Sequence, residues 1–467
     1  MRAVSHVARV APRLRRYGIA VAAVIALALP SAARSETLAD ALISAYMTSG
    51  LLDQNRALLR AADEDVAQAV ATLRPVLSYI AQARWQDSDL IVGGGQTSGS
   101  YGLSLDWTLF DFGRNVLGID AAKESVLAIR AALIDIEQQV LLRAVAAFME
   151  VRRAQAFVQV SQSNVQLLEE QLRATRDRFE VGEVTRTDVA LVEARLAAGR
   201  SGRAAAEGDL ARARAEYLTA VGRIPSTLQP PPPPPSAASS LEAARQVAMD
   251  RSPAILRAQR EVAAAEIGVN LARASRYPRV TAGGQIANDD DGNTQRSLTL
   301  NFSGPIYSGG AINSAMRAAN ARRDATRAAL LLTTQDVVQN VTNAWTNLEV
   351  FSAVIVASEE QVVAAQLAFQ GAREEFEVGE GTTIDVLDRE NELLTARTDL
   401  IDAQTNRYIA AYALLARMGL LTVEQLGLGV PTYDPAAYYE AVRNAPLGTV
   451  SPQGQQLDRM LQAIGRE

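Results

Sequence analysis

From Tyr101 to Leu109 the chain alternates without a break: Tyr101, Leu103, Leu105, Trp107 and Leu109 are apolar or aromatic, and Gly102, Ser104, Asp106 and Thr108 between them are small or polar. Side chains that change face at every residue give a strand with one greasy and one polar surface. The same period runs through Leu77, Tyr79, Ala81, Ala83 and Trp85, through Val280, Ala282, Gly284 and Ile286, and through Leu298, Leu300 and Phe302. Four strands are therefore predicted, in two hairpins at about 76–112 and 279–308. Their tips fall at Gly93–Gly99 and Asn288–Asn293, both rich in turn-forming residues. A half-buried soluble sheet alternates in the same way, so the pattern alone does not say what the greasy face meets.

After each hairpin the period becomes helical. Gly113 to Gly182 contains no proline and one internal glycine, Gly118, and Gly310 to Gly379 repeats this with only Gly371 inside it. A continuous rod of such a length reaches on the order of 100 Å at about 1.5 Å per residue, too long for a compact domain. A return helix is predicted beyond each glycine turn, at about 187–221 and 383–418. Its faces are rich in alanine, as at Ala190, Ala194, Ala197 and Ala198, and small seams let helices lie close side by side. A soluble coiled-coil scaffold would share these helices.

The chain is written twice. Arg176-Asp177-Arg178-Phe179-Glu180-Val181-Gly182-Glu183 returns as Arg373-Glu374-Glu375-Phe376-Glu377-Val378-Gly379-Glu380, an offset of 197, and the same offset brings Asp188-Val189 onto Asp385-Val386 and Phe148 onto Trp345. Repetition at a fixed offset predicts two copies of one structural unit, each a helix, a hairpin and a long helix pair. The first copy spans 36–229 and the second 241–421, joined by a proline-rich linker over 230–240 in which the run Pro230–Pro235 can be neither helix nor inner strand. Residues 422–467 contain Pro and Gly and read as an equatorial or disordered tail.

Residues 1–35 read as a removable secretory signal: Arg2, Arg9, Arg13, Arg15 and Arg16 precede the apolar run Ile19–Leu29, and small residues follow, with cleavage expected after Ser35. That apolar run is about half of what a spanning helix needs. The sole histidine, His6, lies inside the leader and the chain has no cysteine. The mature protein thus lacks Ser-His-Asp and Cys-His triads, CxxC redox sites and His or Cys zinc ligands. Acid pairs such as Asp63 and Glu64 read as a solvated helix face. The leader holds six arginines and no acid, so 46 basic groups less those six leave 40 against 52 acids, a net of −12 that disfavours nucleic acid.

No segment after the leader reaches about 18 consecutive apolar residues, so a secreted chain entering a membrane must do so as a closed barrel, with every backbone amide paired. Four strands do not close around a pore, and several chains must pool theirs: two would give a filled barrel of eight, three a barrel of twelve with a lumen.

Val181-Gly182-Glu183-Val184-Thr185-Arg186-Thr187-Asp188-Val189 resembles the Val-Gly-x-x-Thr-x-x-Asp-Val signature of TolC-type outer-membrane factors. The second copy, Val378-Gly379-Glu380-Gly381-Thr382-Thr383-Ile384-Asp385-Val386-Leu387-Asp388, and the run Ala411–Ala416 resemble the type I secretion members. The resemblance covers nearly all of the mature chain. It implies an α+β membrane protein of mostly long α-helices forming a periplasmic α-barrel, with four β-strands per chain in a trimeric outer-membrane β-barrel of twelve strands. It implies a homotrimer in outer-membrane lipid, met by a periplasmic adaptor (membrane fusion protein) and an inner-membrane transporter of ABC type. The expected role is a passive exit duct for type I protein secretion, without cofactor, metal, catalytic residues or nucleic acid. A drug-efflux duct is the alternative, and a secreted soluble helical scaffold the rival from another class.

The family's acidic pore-entrance ring matches Asp385 and Asp388, whose spacing of three residues puts both carboxylates on one helix face. Capping and the helix dipole also favour acids there. Asp188 matches the Asp of the family's closing lock, but the lock's Tyr position holds Phe376 and its Arg position Gly381. A looser entrance is expected, or closure through Arg186 or Arg373. The turns at Val181, Gly182, Val378 and Gly379 are expected to dock the adaptor, although a turn alone would explain the glycines. Trp85 and Trp107 are expected at the lipid interface, with barrel packing as the plainer explanation.

Overall fold

The computed structural model describes residues 35–87, 96–236 and 238–444. The expected leader up to Arg34, Gly93–Gly95 of the first hairpin tip and the C-terminal residues from 445 onward lie outside the described residues. In chain order, α1 (Leu38–Thr48) and α2 (Gly50–Ala71) lead into β1 (Val76–Gln86) and β2 (Gln96–Phe110), followed by α3 (Arg114–Glu180) and α4 (Arg186–Val221). The order recurs with α5 (Leu241–Arg251), α6 (Pro253–Ala274), β3 (Arg279–Asp289), β4 (Thr294–Ser303), α7 (Ala311–Glu377) and α8 (Thr383–Arg417), and a short α9 (Pro435–Val442) follows.

Ahead of each hairpin there are two helices where the sequence suggested one. Ser49 turns extended (ψ 108°) and its hydroxyl accepts from the Leu52 amide, ending α1 and capping α2. In the second copy Pro253 forces the break, because the residue before a proline is pushed out of the helical region; Ser252 has ψ 123°.

α3 and α7 are 67 residues each, about 100 Å at about 1.5 Å per residue. Each is flanked by a shorter helix near the sheet, α2 or α6, and by another toward the far end, α4 or α8. Across the molecule the order is α2–α3–α6–α7 near the sheet and α4–α3–α8–α7 below it. α7 is thus a free edge, and its Leu331, Leu332, Val356, Val363 and Leu367 stay exposed. The main core forms a girdle at mid-length, where Leu42 and Tyr46 of α1 meet Phe148 of α3, Tyr217 of α4 and Tyr412 of α8. The start of the C-terminal segment joins it: Leu421 and Val423 are buried there, the Val423 amide donates to Glu137 at 2.7 Å, and α9 packs on α2.

The strands form one antiparallel sheet in the order β1-β2-β3-β4. Its register aligns the four alternations, with Leu77 opposite Leu105, Leu105 opposite Gly284 and Gly284 opposite Leu298. The apolar positions of the four alternations therefore share one face, with Phe110 taking the place of Leu109 after a bulge, and Ser78, Gln82, Ser104, Gln285, Thr299 and Asn301 fall on the other. No helix covers the greasy face: Tyr79 is 87% and Leu298 89% exposed. A sheet that faces water on one side covers its apolar face; here the apolar face is as open as the polar one, on which Ser78, Gln82, Thr299 and Asn301 are exposed. Both outer strands, β1 and β4, also keep a free edge for pairing.

Candidate functional site

At the end of the molecule away from the sheet the two copies reverse direction side by side. Gly182 and Gly379 both take φ +82°, a left-handed conformation that side chains strain to adopt. The preceding Val181 and Val378 project into solvent, 72% and 73% exposed. Each return helix then starts with the same capping box. The Thr185 hydroxyl accepts from the Asp188 amide while the Asp188 carboxylate accepts from the Thr185 amide at 2.8 Å, and Thr382 and Asp385 do the same in the second copy. Hydrogen bonds donated by the cap threonines, Thr185 to Asp188 and Thr382 to Asp385, hold both carboxyls below the usual carboxylate range; for Asp188 the Thr383 hydroxyl of the other turn adds to the effect. Asp188 and Asp385 are therefore ionised cap residues first, and each keeps one oxygen outside the capping box.

Asp385 and Asp388 lie exposed on one face of α8, but they are not equivalent. Asp388 accepts from Arg195 of α4 at 2.9 Å, an ion pair that ties the two return helices and offsets its charge. The next acid along α8, Glu390, is buried, and its Oε1 has no hydrogen-bond partner among the described residues. Burial pushes its carboxyl up to about 7 against the pull of Arg195.

The two turns enclose a cleft of about 520 Å³ lined by Arg178, Glu183 and Asp188 from one copy and Phe376, Gly379 and Thr383 from the other. Arg178 spans it. Its guanidinium sits 4.4 Å from the centre of the Phe376 ring and donates to the Phe376 carbonyl at 3.1 Å. Neither arginine expected to close the turns does so: Arg373 pairs with Glu377 on its own helix, and Arg186 has no ion pair among the described residues. Gly381 is tightly placed, since a Cβ there would lie 3.1 Å from the Phe376 amide nitrogen. Arg178 had a weak signal in the sequence, because it stands where the second copy has Glu375, a reversal of charge inside a repeated motif.

At the opposite end, Trp107 donates its indole N–H to the Leu73 carbonyl at 2.9 Å at the base of the sheet, and Trp85, 68% exposed, stands near the first hairpin tip. Trp85 pairs with Thr97, which places the two indoles ten residues apart along β2. That is about 33 Å of strand, and about 25 Å of height for a strand tilted by about 40°.

The family profile described as outer membrane efflux protein matches residues 47–223 and again 244–420, once on each repeat. Outer membrane efflux protein BepC of Brucella suis biovar 1 is 35% identical over 435 residues, covering 91% of this chain and 94% of that one. Outer membrane protein TolC of Salmonella enteritidis is 26% identical and covers 85% and 86% respectively. The CmeC outer membrane channel of Campylobacter jejuni superposes with a TM-score of 0.74 over 89% of this chain and 91% of its own, at 14% identity. With both repeats matched and the open greasy sheet continuous with the long helices, this chain belongs to the outer membrane efflux protein family and is a TolC-type channel protein of the outer membrane.

Proposed function

We propose that this chain is one third of a trimeric exit duct, whose pooled strands line an outer-membrane pore and whose helices carry it through the periplasm. The reading rests on one observation above all: an uncovered apolar sheet face lies about 100 Å of helix away from two matching polar turns. A soluble scaffold gives no reason for that face, and Trp85 and Trp107 bracket a band close to the apolar height of an outer-membrane barrel, about 25 Å. Val181, Gly182, Val378 and Gly379 dock a periplasmic adaptor, which brings the inner-membrane transporter and its energy. Asp385 and Asp388, repeated by threefold symmetry, form the acidic entrance ring, in which Asp385 supplies the freer charge because Arg195 holds Asp388.

Type I protein secretion with an ABC transporter is preferred, on the second-copy signature from Val378 to Asp388. Small-molecule efflux is the second reading, favoured by the similarity to the Brucella outer membrane efflux protein. Photocrosslinkers placed at Val181 and Val378 in living cells would identify the adaptor. Capture of an adaptor encoded beside an ABC transporter, together with loss of a secreted protein on deletion of this chain, is the expected result. Unchanged secretion with a sharp loss of drug tolerance would overturn the secretion reading and leave the duct. No crosslink at either turn, with the protein released as a soluble monomer, would overturn the duct itself.

A further inference from the structure

At the girdle, the run Pro230–Pro235 crosses over the seam between α3 and α8. Pro231 and Pro234 face inward while Pro230, Pro232, Pro233 and Pro235 are exposed, the threefold period of a polyproline II strap. Tyr408 of α8 pins it by donating its hydroxyl to the Pro232 carbonyl at 2.8 Å. Between strap and helices lies a cleft of about 460 Å³, within the size range of ligand sites. Three arginines line it and no carboxylate does. Arg153 is spoken for, bonded to Glu150 at 2.8 Å and Asp402 at 2.9 Å. Arg152 and Arg407 have no ion pair or hydrogen bond among the described residues. Arg152 is half-buried, and burial holds its guanidinium below the ordinary value with only the Tyr408 hydroxyl to offset it.

We propose that this cleft is a binding site for a carboxylate-bearing peptide segment. A half-buried cation without a counter-ion is costly, and an incoming carboxylate, which guanidinium binds in a fork of two N–H donors, relieves it. The opposite wall selects a peptide over a bare anion: proline strap residues offer carbonyl oxygens and no N–H, and only the Pro232 oxygen is taken among the described residues. A ligand that fills both walls carries negative charge and amide N–H donors together. The neighbouring subunit does not fill the cleft, because α3 and α8 are the inner pair of the order α4–α3–α8–α7 and the protomer's free edges are α4 and α7. An open duct must also keep its bore clear, which puts the strap on the outer, periplasmic surface. The proposal stands on this packing and does not depend on what the duct exports.

The test uses the intact detergent-solubilised protein and an acetylated, amidated Gly-Glu-Gly-Asp-Gly peptide as probe, with Gly-Gln-Gly-Asn-Gly as its uncharged twin. The expected result is salt-sensitive calorimetric binding of the acidic peptide, at least tenfold weaker for the twin and at least tenfold weaker in Arg152→Gln and in Arg407→Gln. Arg322→Gln, a change on exposed α7, should leave binding unchanged. Arg407 is exposed, so its variant keeps the test decisive if Arg152→Gln alters folding. Equal binding of the two peptides, full competition by inorganic phosphate at the same concentration, or undiminished binding in Arg407→Gln would each overturn the proposal.

Discussion

Arg178 lies over the ring of Phe376, 4.4 Å from its centre, and so joins the two turns through residues 198 apart in the chain. The contact lies where a polar lock was expected and has different chemistry: a ring face stands where the lock has a hydroxyl, and the arginine comes from the first copy instead of the second. A cation over an aromatic ring contributes about 0.5–2 kcal/mol, and the bond to the Phe376 carbonyl about 1 kcal/mol more. Arg178→Ala should therefore loosen the tips and raise the single-channel conductance of the purified protein in planar bilayers. Phe376→Leu, which keeps bulk but removes the π face, should do so by less. Conductance unchanged in Arg178→Ala would show that the entrance is held elsewhere.

Glu36 is the second expected weak point. It is 5% exposed and accepts from the Tyr217 hydroxyl at 2.6 Å and from Arg223 at 2.8 Å, while its backbone bridges to Thr227 and Gln229, just ahead of the linker. It directly follows Ser35, the expected cleavage point, and its bonds fasten this stretch to the segment that leads into the proline strap. Removing the buried carboxylate leaves the buried Tyr217 hydroxyl without its acceptor, at a cost of about 1–3 kcal/mol, while the Arg223 side chain, 45% exposed, regains water. Glu36→Ala should lower the denaturant midpoint accordingly, and Glu36→Gln, which keeps one acceptor oxygen, should lose less. Equal midpoints for the two variants would refute this account.

The sheet and the long helices were legible because each rests on a simple period. Strand alternation anticipated β1 to β4, and the glycines at 113, 182, 310 and 379 anticipated both ends of α3 and α7. The break at Ser49 was not legible, since nothing after it forbids a helix and only the cap geometry ends α1. Val423 read as tail because one apolar residue carries no period; with Leu421, the last residue of the second copy, it is buried by a girdle built from four distant segments. The site was legible in its turns and caps, which are local. Its bridges were not, because Arg178 to Phe376 and Arg195 to Asp388 depend on the two copies lying side by side. In both cases the first-copy arginine stands where the second copy has a glutamate, Glu375 and Glu392, so the repeat hides the pairing unless the copies are compared for differences.

The two indoles, Trp85 on β1 and Trp107 on β2, should report the membrane boundaries. In single-tryptophan variants reconstituted with brominated lipids, Trp85 and Trp107 should be quenched most by bromine placed near the headgroups. Trp345, on α7 where it donates to Glu349 at 2.8 Å, should not be quenched at any depth. Trp107→Phe should also cost about 1 kcal/mol, because the Leu73 carbonyl loses its donor, whereas Trp85→Phe should leave stability nearly unchanged. Quenching of Trp345, or none of Trp85, would place the lipid somewhere other than the greasy sheet face.

Glu390 gives the helical tube a dependence on pH whose sign follows from its burial. Its carboxyl is raised from 4.5 to about 7, first by burial and against the attraction of Arg195. Between those two values the unfolded chain has given up the proton while the folded chain still holds it, so this group makes the folded state less stable as pH rises through the window. The loss by pH 8 is on the order of 3 kcal/mol. Glu390→Gln, which cannot ionise, should raise the melting temperature at pH 8 and flatten the wild-type fall between pH 5 and pH 8. The effect should reach the entrance as well. Arg195 pairs with Asp388 at 2.9 Å and also attracts Glu390, so ionising Glu390 sets two carboxylates competing for one guanidinium and frees charge on Asp388. Cation selectivity of the wild-type channel should therefore increase from pH 5.5 to pH 8, and in Glu390→Gln that increase should be lost. A variant whose selectivity still climbs with pH would mean that the ring titrates independently of the buried acid.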